Sequence, residues 1–359
     1  MFLKRTWILA ICLLGTLAQA AQDLPWHLGG ASIAQSAPSS INTSNIKAGP
    51  HQIVVAVIDS GVIPTHPSLS GQLLPGYDMI STPNNLRGGR SPNFSPDERD
   101  ARCGQRLVSS AFRTHGTEVA SLVAANGTDG VYGVNPNARI LPIRLFGACN
   151  MSRADLLDAI AWASGLPVPG IPENPTPARV INMSIAGGLS VCGSDLQKLI
   201  NRVIEKKIFI VAAAGNNFHK PLPEPANCNG VFSVGALDAE NNIEVYSALD
   251  PRTTLYAPGG GKKLSVDANW AVNKLMVATY DMDFLGNERA AAIERGVGTS
   301  FASPIAAGFI SLWLSHAPDK QPSDLSKELP KFLRQVPTLE KCAECAPKGL
   351  TAKSGIPQP

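Results

Sequence analysis

The run Ile53-Val54-Val55-Ala56-Val57-Ile58 is continuous, apolar and mostly β-branched, and it stops on a charged residue, Asp59. A strand with no polar alternation has no solvent face, so it must be covered on both sides, as the strands of parallel sheets are. Similar runs recur at 139–145, 180–184, 208–214 and 231–235. Helical spacing separates them. It predicts helices over 117–125, over 153–163 with Leu156, Leu157, Ile160 and Ala163 on one face, and over 195–206 with Leu196, Leu199, Ile200 and Val203 together. A long apolar helix is predicted over 300–315. Strands alternating with helices predict an α/β fold, a mostly parallel sheet flanked by helices. Such sheets bind ligands beyond their carboxyl ends, where Asp59, Ser184 and Asn216 fall.

Composition narrows the function classes. Hydrophobic residues make up 44% of the 359-residue chain and charged residues 16%, the balance of a globular protein. The net charge of +3 drops to about +1 without Lys4 and Arg5, and no basic stripe is present. A nucleic-acid binder is therefore not expected. Residues 1–20 read as a secretory signal: a basic start, an apolar stretch over 7–18, and the small-x-small site Ala18-Gln19-Ala20. That stretch falls short of the ~20 residues a membrane span needs. Export to the periplasm or the outside is expected, with no stable membrane anchor after cleavage. An anchor through a lipidated Cys12 is disfavoured by the bulky Ile11 before it.

Removing the signal leaves Cys103, Cys149, Cys192, Cys228, Cys342 and Cys345, an even set that implies disulfides in an exported chain. Cys342-Ala343-Glu344-Cys345 has no second such pair and no nearby pair of histidines, so a small local staple is preferred to a zinc or redox site. The chain divides into a polar arm at 21–45 anchored at Trp26-His27-Leu28, a body at 46–335, and a loosely packed tail at 336–359. A long charged insertion at 81–112 is expected to be functional or mobile.

Three distant segments carry chemistry. Asp59 ends the first strand, His115 opens His115-Gly116-Thr117, and Ser300 sits in Gly298-Thr299-Ser300-Phe301-Ala302-Ser303-Pro304. A serine hydroxyl becomes a nucleophile when an imidazole takes its proton, and a carboxylate holds that imidazole's tautomer and stabilises its cation. Ser300 at a helix start would face unsatisfied amides, one of them its own, that favour an oxyanion, with Pro304 early enough in the helix to cost little. Asn216, after Ala213-Ala214-Gly215, supplies a second oxyanion donor. Activity should fall below about pH 6–7 as His115 protonates.

These segments, in this order, resemble the motifs of the subtilisin-like serine proteases (subtilases). The chain is most similar to the secreted subtilases of Gram-negative bacteria through Leu74-Pro75-Gly76-Tyr77-Asp78, Leu141-Pro142-Ile143-Arg144, 160–165 and Val180-Ile181-Asn182-Met183-Ser184. The resemblance spans about residues 45–335. It implies a three-layer subtilisin-like fold and a monomeric serine endopeptidase acting on protein or peptide substrates, with no cofactor required for chemistry. It also implies disulfides Cys103–Cys149, Cys192–Cys228 and Cys342–Cys345. Ser184-Ile185-Ala186-Gly187 and Ala213-Ala214-Gly215 would line opposite walls of the pocket before the scissile bond. Those small, neutral walls suggest apolar or unselective cleavage.

The chain departs from the family pattern in places. Phe301 and Ile305 are expected to affect packing alone. Glu118 is open to two readings, a nearby ion pair or a solvated face. Ser68 and Ile63 stand where acidic calcium ligands are common, which weakens that site, although Asp97, Glu98 and Asp100 keep a structural calcium open. About forty residues between the signal and Asp59 are too few for the usual pro-domain. The rival reading is a catalytically silent subtilase fold that binds extended peptides. An exported esterase is disfavoured because Ser300 lacks the Gly-x-Ser-x-Gly setting.

Overall fold

The computed structural model describes residues 25–28, 47–81, 85, 87–97, 102–103, 106–107, 111–147, 151–217, 221–261, 275–282, 288–335 and 348–350. The strands in chain order are β1 (Val54–Asp59), β2 (Tyr77–Asp78), β3 (Arg102–Cys103), β4 (Arg106–Leu107), β5 (Arg139–Arg144), β6 (Val180–Met183) and β7 (Phe209–Ala213). They continue as β8 (Phe232–Leu237), β9 (Leu255–Pro258), β10 (Leu275–Met282), β11 (Glu288–Gly296), β12 (Leu333–Gln335) and β13 (Lys348–Leu350). The helices are α1 (Ala111–Ala124), α2 (Arg153–Ala163), α3 (Ser194–Glu205), α4 (Thr299–His316) and α5 (Pro322–Phe332).

The main sheet runs β12-β13-β9-β8-β7-β6-β1-β5-β2, and its seven strands from β9 to β2 are parallel. The unbroken apolar runs explain the layering. Val55 and Val57 face a core built with Val119, Leu122, Ile305 and Phe309 of α1 and α4. Ala56 and Ile58 face the opposite core, with Leu156 and Ile160 of α2 and Leu196 and Ile200 of α3. One strand thus feeds two cores, which gives the three layers predicted.

The predicted strands and the helices over 153–163, 195–206 and 300–315 form within a residue or two of expectation, but α1 begins six residues before the predicted 117. His115 therefore lies within the helix and not at its start. The antiparallel hairpin β10–β11, α5 and the strands β12 and β13 at one end of the main sheet were not foreseen. Part of the supposedly loose tail joins the main sheet: β13 pairs with β9 through Gly349 and Tyr256. His27 and Leu28 are buried, so this stretch of the arm is anchored as expected. The signal segment and the rest of the arm lie outside the described residues.

The charged insertion is pinned where it is described. Arg87 pairs with Asp97 at 3.2 Å and donates to the Ser95 and Pro96 carbonyls, each at 2.7 Å. Arg90 reaches Asp155 and Asp158, each at 2.7 Å, on α2. Among the described residues, Arg87 and Arg90 thus close on carboxylates of the protein itself.

Cys192 and Cys228 form a disulfide with Cα atoms 5.1 Å apart. Cys149, Cys342 and Cys345, together with the side chain of Cys103, lie outside the described residues. Replacing Cys192 and Cys228 by serine reopens a loop with a sequence separation of 36. The loss should be about 3–4 kcal/mol of stability by loop entropy, read as a lower calorimetric melting temperature. An unchanged melting temperature would show that other contacts already close this loop.

Candidate active site

Asp59 sits at the carboxyl end of β1, fully buried, and its Oδ1 accepts from the Ser60 amide at 2.7 Å. The same oxygen lies 2.8 Å from His115 Nδ1. Two glycines make this contact possible. Gly61 takes φ +95°, a left-handed turn that leads the chain off the strand. A Cβ on Gly116 would lie 2.1 Å from the Gly61 carbonyl oxygen and 3.2 Å from Asp59 Cβ, so α1 meets the β1 exit backbone to backbone. The Gly116 amide also donates to Ser60 Oγ at 3.0 Å, and the Ile63 amide donates to Thr117 Oγ1 at 3.0 Å.

Burial alone would lower the His115 pKa, but the Asp59 charge and hydrogen bond, with the Glu118 charge behind them, raise it well above the ordinary 6.5.

Ser300 occupies the first turn of α4, where amides have no intrahelical acceptor. The next residue, Phe301, brings its ring to 5.8 Å from the His115 ring, so the start of α4 lies alongside the imidazole. Asn216 Oδ1 accepts from the Thr299 amide at 2.9 Å and from Thr299 Oγ1 at 2.8 Å. With its carbonyl so held, the side-chain amide has a fixed sense. Asn216 Nδ2 and the Ser300 amide nitrogen lie 3.4 and 3.7 Å from the point where a Cβ on Gly298 would stand. Asn216 Oδ1 lies 3.7 Å from the same point, and Gly298, at φ +146°, keeps it free of a side chain. Sequence reasoning missed Gly298 and Thr299, although both lie inside the motif it quoted.

Pro304 does not sit where its missing amide is free. It is in the second turn of α4, where it deprives the Ser300 carbonyl of its intrahelical donor. Ser184 Oγ fills that role at 2.7 Å, itself accepting from Asn182 Nδ2 at 2.9 Å, while Asn182 Oδ1 accepts from Ser303 Oγ at 2.7 Å. The Ser184 hydroxyl is thus directed at the helix that carries Ser300.

The two segments expected to form pocket walls do approach each other. A Cβ on Gly215 would meet Ala186 Cβ at 3.4 Å. Ile185 is half-buried, Ala186 and Gly187 are exposed, and Ala213 and Ala214 are buried within the core.

The calcium position does not fit a cation. Ser68 Oγ donates to the Thr128 carbonyl at 3.0 Å, Ile63 is buried apolar surface, and Asp97 is paired with Arg87. Glu98 and Asp100 lie outside the described residues. Cys192, Glu224 and Cys228 lie close together, but the disulfide removes both thiolates as ligands. Glu118 is not solvated: it is buried, accepts from the Thr114 and Thr279 hydroxyls, and interacts with His115 through its charge. Phe301 and Ile305 pack in the core as expected.

The subtilase family model matches residues 51–336. An "Extracellular protease" of Xanthomonas campestris pv. campestris is 37% identical over 275 residues, covering 74% of this chain and 44% of that relative. An "Extracellular basic protease" of Dichelobacter nodosus is 34% identical over 277 residues, covering 74% of this chain and 43% of its own. The chain thus spans less than half the length of these two relatives. A solved protease from Pseudoalteromonas arctica superposes with a TM-score of 0.77 at 32% identity, covering 92% of this chain and 97% of that one. With the match running through β1, α1 and α4, which carry Asp59, His115 and Ser300, the chain belongs to the subtilase family.

Proposed function

We propose that the protein is an exported serine endopeptidase that cleaves protein or peptide substrates through an acyl-enzyme. The observation that carries this reading is the 2.8 Å Asp59–His115 bond beside the helix start that bears Ser300, with the Asn216 side chain held against the same turn. Ser300 Oγ bonds to the substrate carbonyl carbon as its proton passes to His115 Nε2, and the carbonyl π pair moves to oxygen. Asn216 Nδ2 and the Ser300 amide hold that oxyanion. Asp59 keeps the proton on His115 Nδ1 and stabilises the imidazolium. The C–N bond then breaks, the leaving amine takes the proton from His115, and water repeats the sequence on the acyl-enzyme. These steps need no cofactor. An extended substrate would lie as an added strand against 184–187 and 213–215.

Export is supported by relatives named as extracellular proteases, and among the described residues no helix is long and apolar enough to cross a membrane. A periplasmic or extracellular monomer is the state proposed.

A fluorophosphonate probe should label the oxidised wild-type protein and leave Ser300→Ala unlabelled. Absence of labelling in both would favour the silent peptide-binding fold. Asn216→Ala should lower kcat about 10²–10³-fold with KM little changed; an equal loss in KM would assign Asn216 to substrate binding instead. Because the base must be uncharged, activity rises with pH through the His115 pKa. Because Asp59 raises that pKa, the acid midpoint of kcat/KM should lie above 6.5. A midpoint below 6 would contradict the pairing.

A further inference from the structure

Glu118 lies one helical turn after His115 on α1 and is buried. A carboxylate reaches such a position only when something compensates its charge. Its Oε1 accepts from Thr114 Oγ1 at 2.7 Å, on the same helix, and from Thr279 Oγ1 at 2.9 Å, on β10. Two hydroxyls donating to one oxygen suit the ionised form. Residues three apart on a helix share a face, with Cβ atoms about 5–6 Å apart. His115 therefore has one carboxylate bonded to Nδ1 from β1 and a second beside it from its own helix.

On the serine-protease reading, we propose that Glu118 is a positioning residue, a second carboxylate that stabilises the imidazolium of His115 while Ser300 attacks. It takes no proton and touches no substrate. The groups around the pair set its balance. His115 faces Asp59 from β1, Glu118 from α1, and the uncharged Phe301 ring from α4. Glu118 is opposed by burial first and by the Glu294 charge from β11, and is favoured by His115 and the two threonines. Burial prevails, and its pKa rises above the ordinary carboxylate value. The hairpin is part of the device, because Thr279 binds the carboxylate and the Ala278 amide donates to Ser121 Oγ at 3.1 Å on the same helix. β10 is thereby held against α1 at Ser121 and at Glu118.

The test measures kcat/KM against pH on a peptide substrate, alongside fluorophosphonate labelling. Glu118→Gln keeps the shape and removes the charge. It should move the acid limb down by about one pH unit, the low end of what a nearby opposite charge does to a pKa, and lower kcat on the alkaline plateau. Thr279→Val leaves the carboxylate but weakens its ionised form, and should move the limb the same way by less. Thr279→Ser should restore it. Glu118→Gln that is labelled normally and keeps the wild-type limb would overturn the proposal and reduce Glu118 to a packing residue. If Glu118→Gln fails to fold, an unmoved limb in Thr279→Val overturns it alone. Failure of the wild type itself to label is a different result, and it would remove the protease reading on which the proposal rests.

Discussion

The site depends on a contact with no side chain in it, the approach of α1 to the exit of β1 at Gly116 and Gly61. A Cβ at Gly116 would stand 2.1 Å from the Gly61 carbonyl oxygen, so any side chain there forces helix and strand apart. The 2.8 Å Asp59–His115 bond exists at that separation and not at a larger one. The sheet makes the distance reproducible. β1 is held on both sides, by β5 through six residue pairs and by β6 through three, so the Asp59 backbone has little freedom.

The nucleophile end is built on a different compensation. Pro304 would leave the Ser300 carbonyl without a partner inside a buried helix, a cost of about 1–3 kcal/mol if nothing replaced it. Ser184 replaces it, and the line Ser303–Asn182–Ser184–Ser300 ties the end of β6 to the first turns of α4. Thr299 ties the same turn to Gly215 and Asn216 after β7. Ser300 is thus referenced to two strands of the sheet that also carries Asp59.

The strands were legible because an apolar run without alternation has one physical solution, and the pairing of Asp59 with His115 because both stand in short motifs that the fold brings within 2.8 Å. The rest was hidden for identifiable reasons. The start of α1 was missed because Phe112, Arg113 and Thr114 give no apolar periodicity, and the buried Arg113 runs against the usual signal. β11 reads Glu-Arg-Ala-Ala-Ala-Ile-Glu-Arg-Gly, which suits a helix as well as a strand, so its pairing with β10 overrides local preference. The Pro304 compensation is a tertiary event between residues 116 positions apart that no local pattern contains. Glu118 carried an ambiguity that its partner resolves, since Thr279 lies 161 residues away.

The charge layout follows the reaction's own charge separation. In the proposed reaction, proton transfer from Ser300 would create a cation on His115 and an anion on the substrate oxygen. Around His115 stand Asp59 and Glu118, both anionic when ionised. At the start of α4 stand the Ser300 amide and the Asn216 side-chain amide, the donors that the proposal assigns to the oxyanion. Groups fixed in this way need no reorganisation as charge develops, whereas water would have to turn to meet it. The same arrangement sets a cost at low pH. On the proposed mechanism, carboxylates that stabilise the imidazolium during reaction would also stabilise it before reaction, so support for the transition state and a raised acid limb would come from one source.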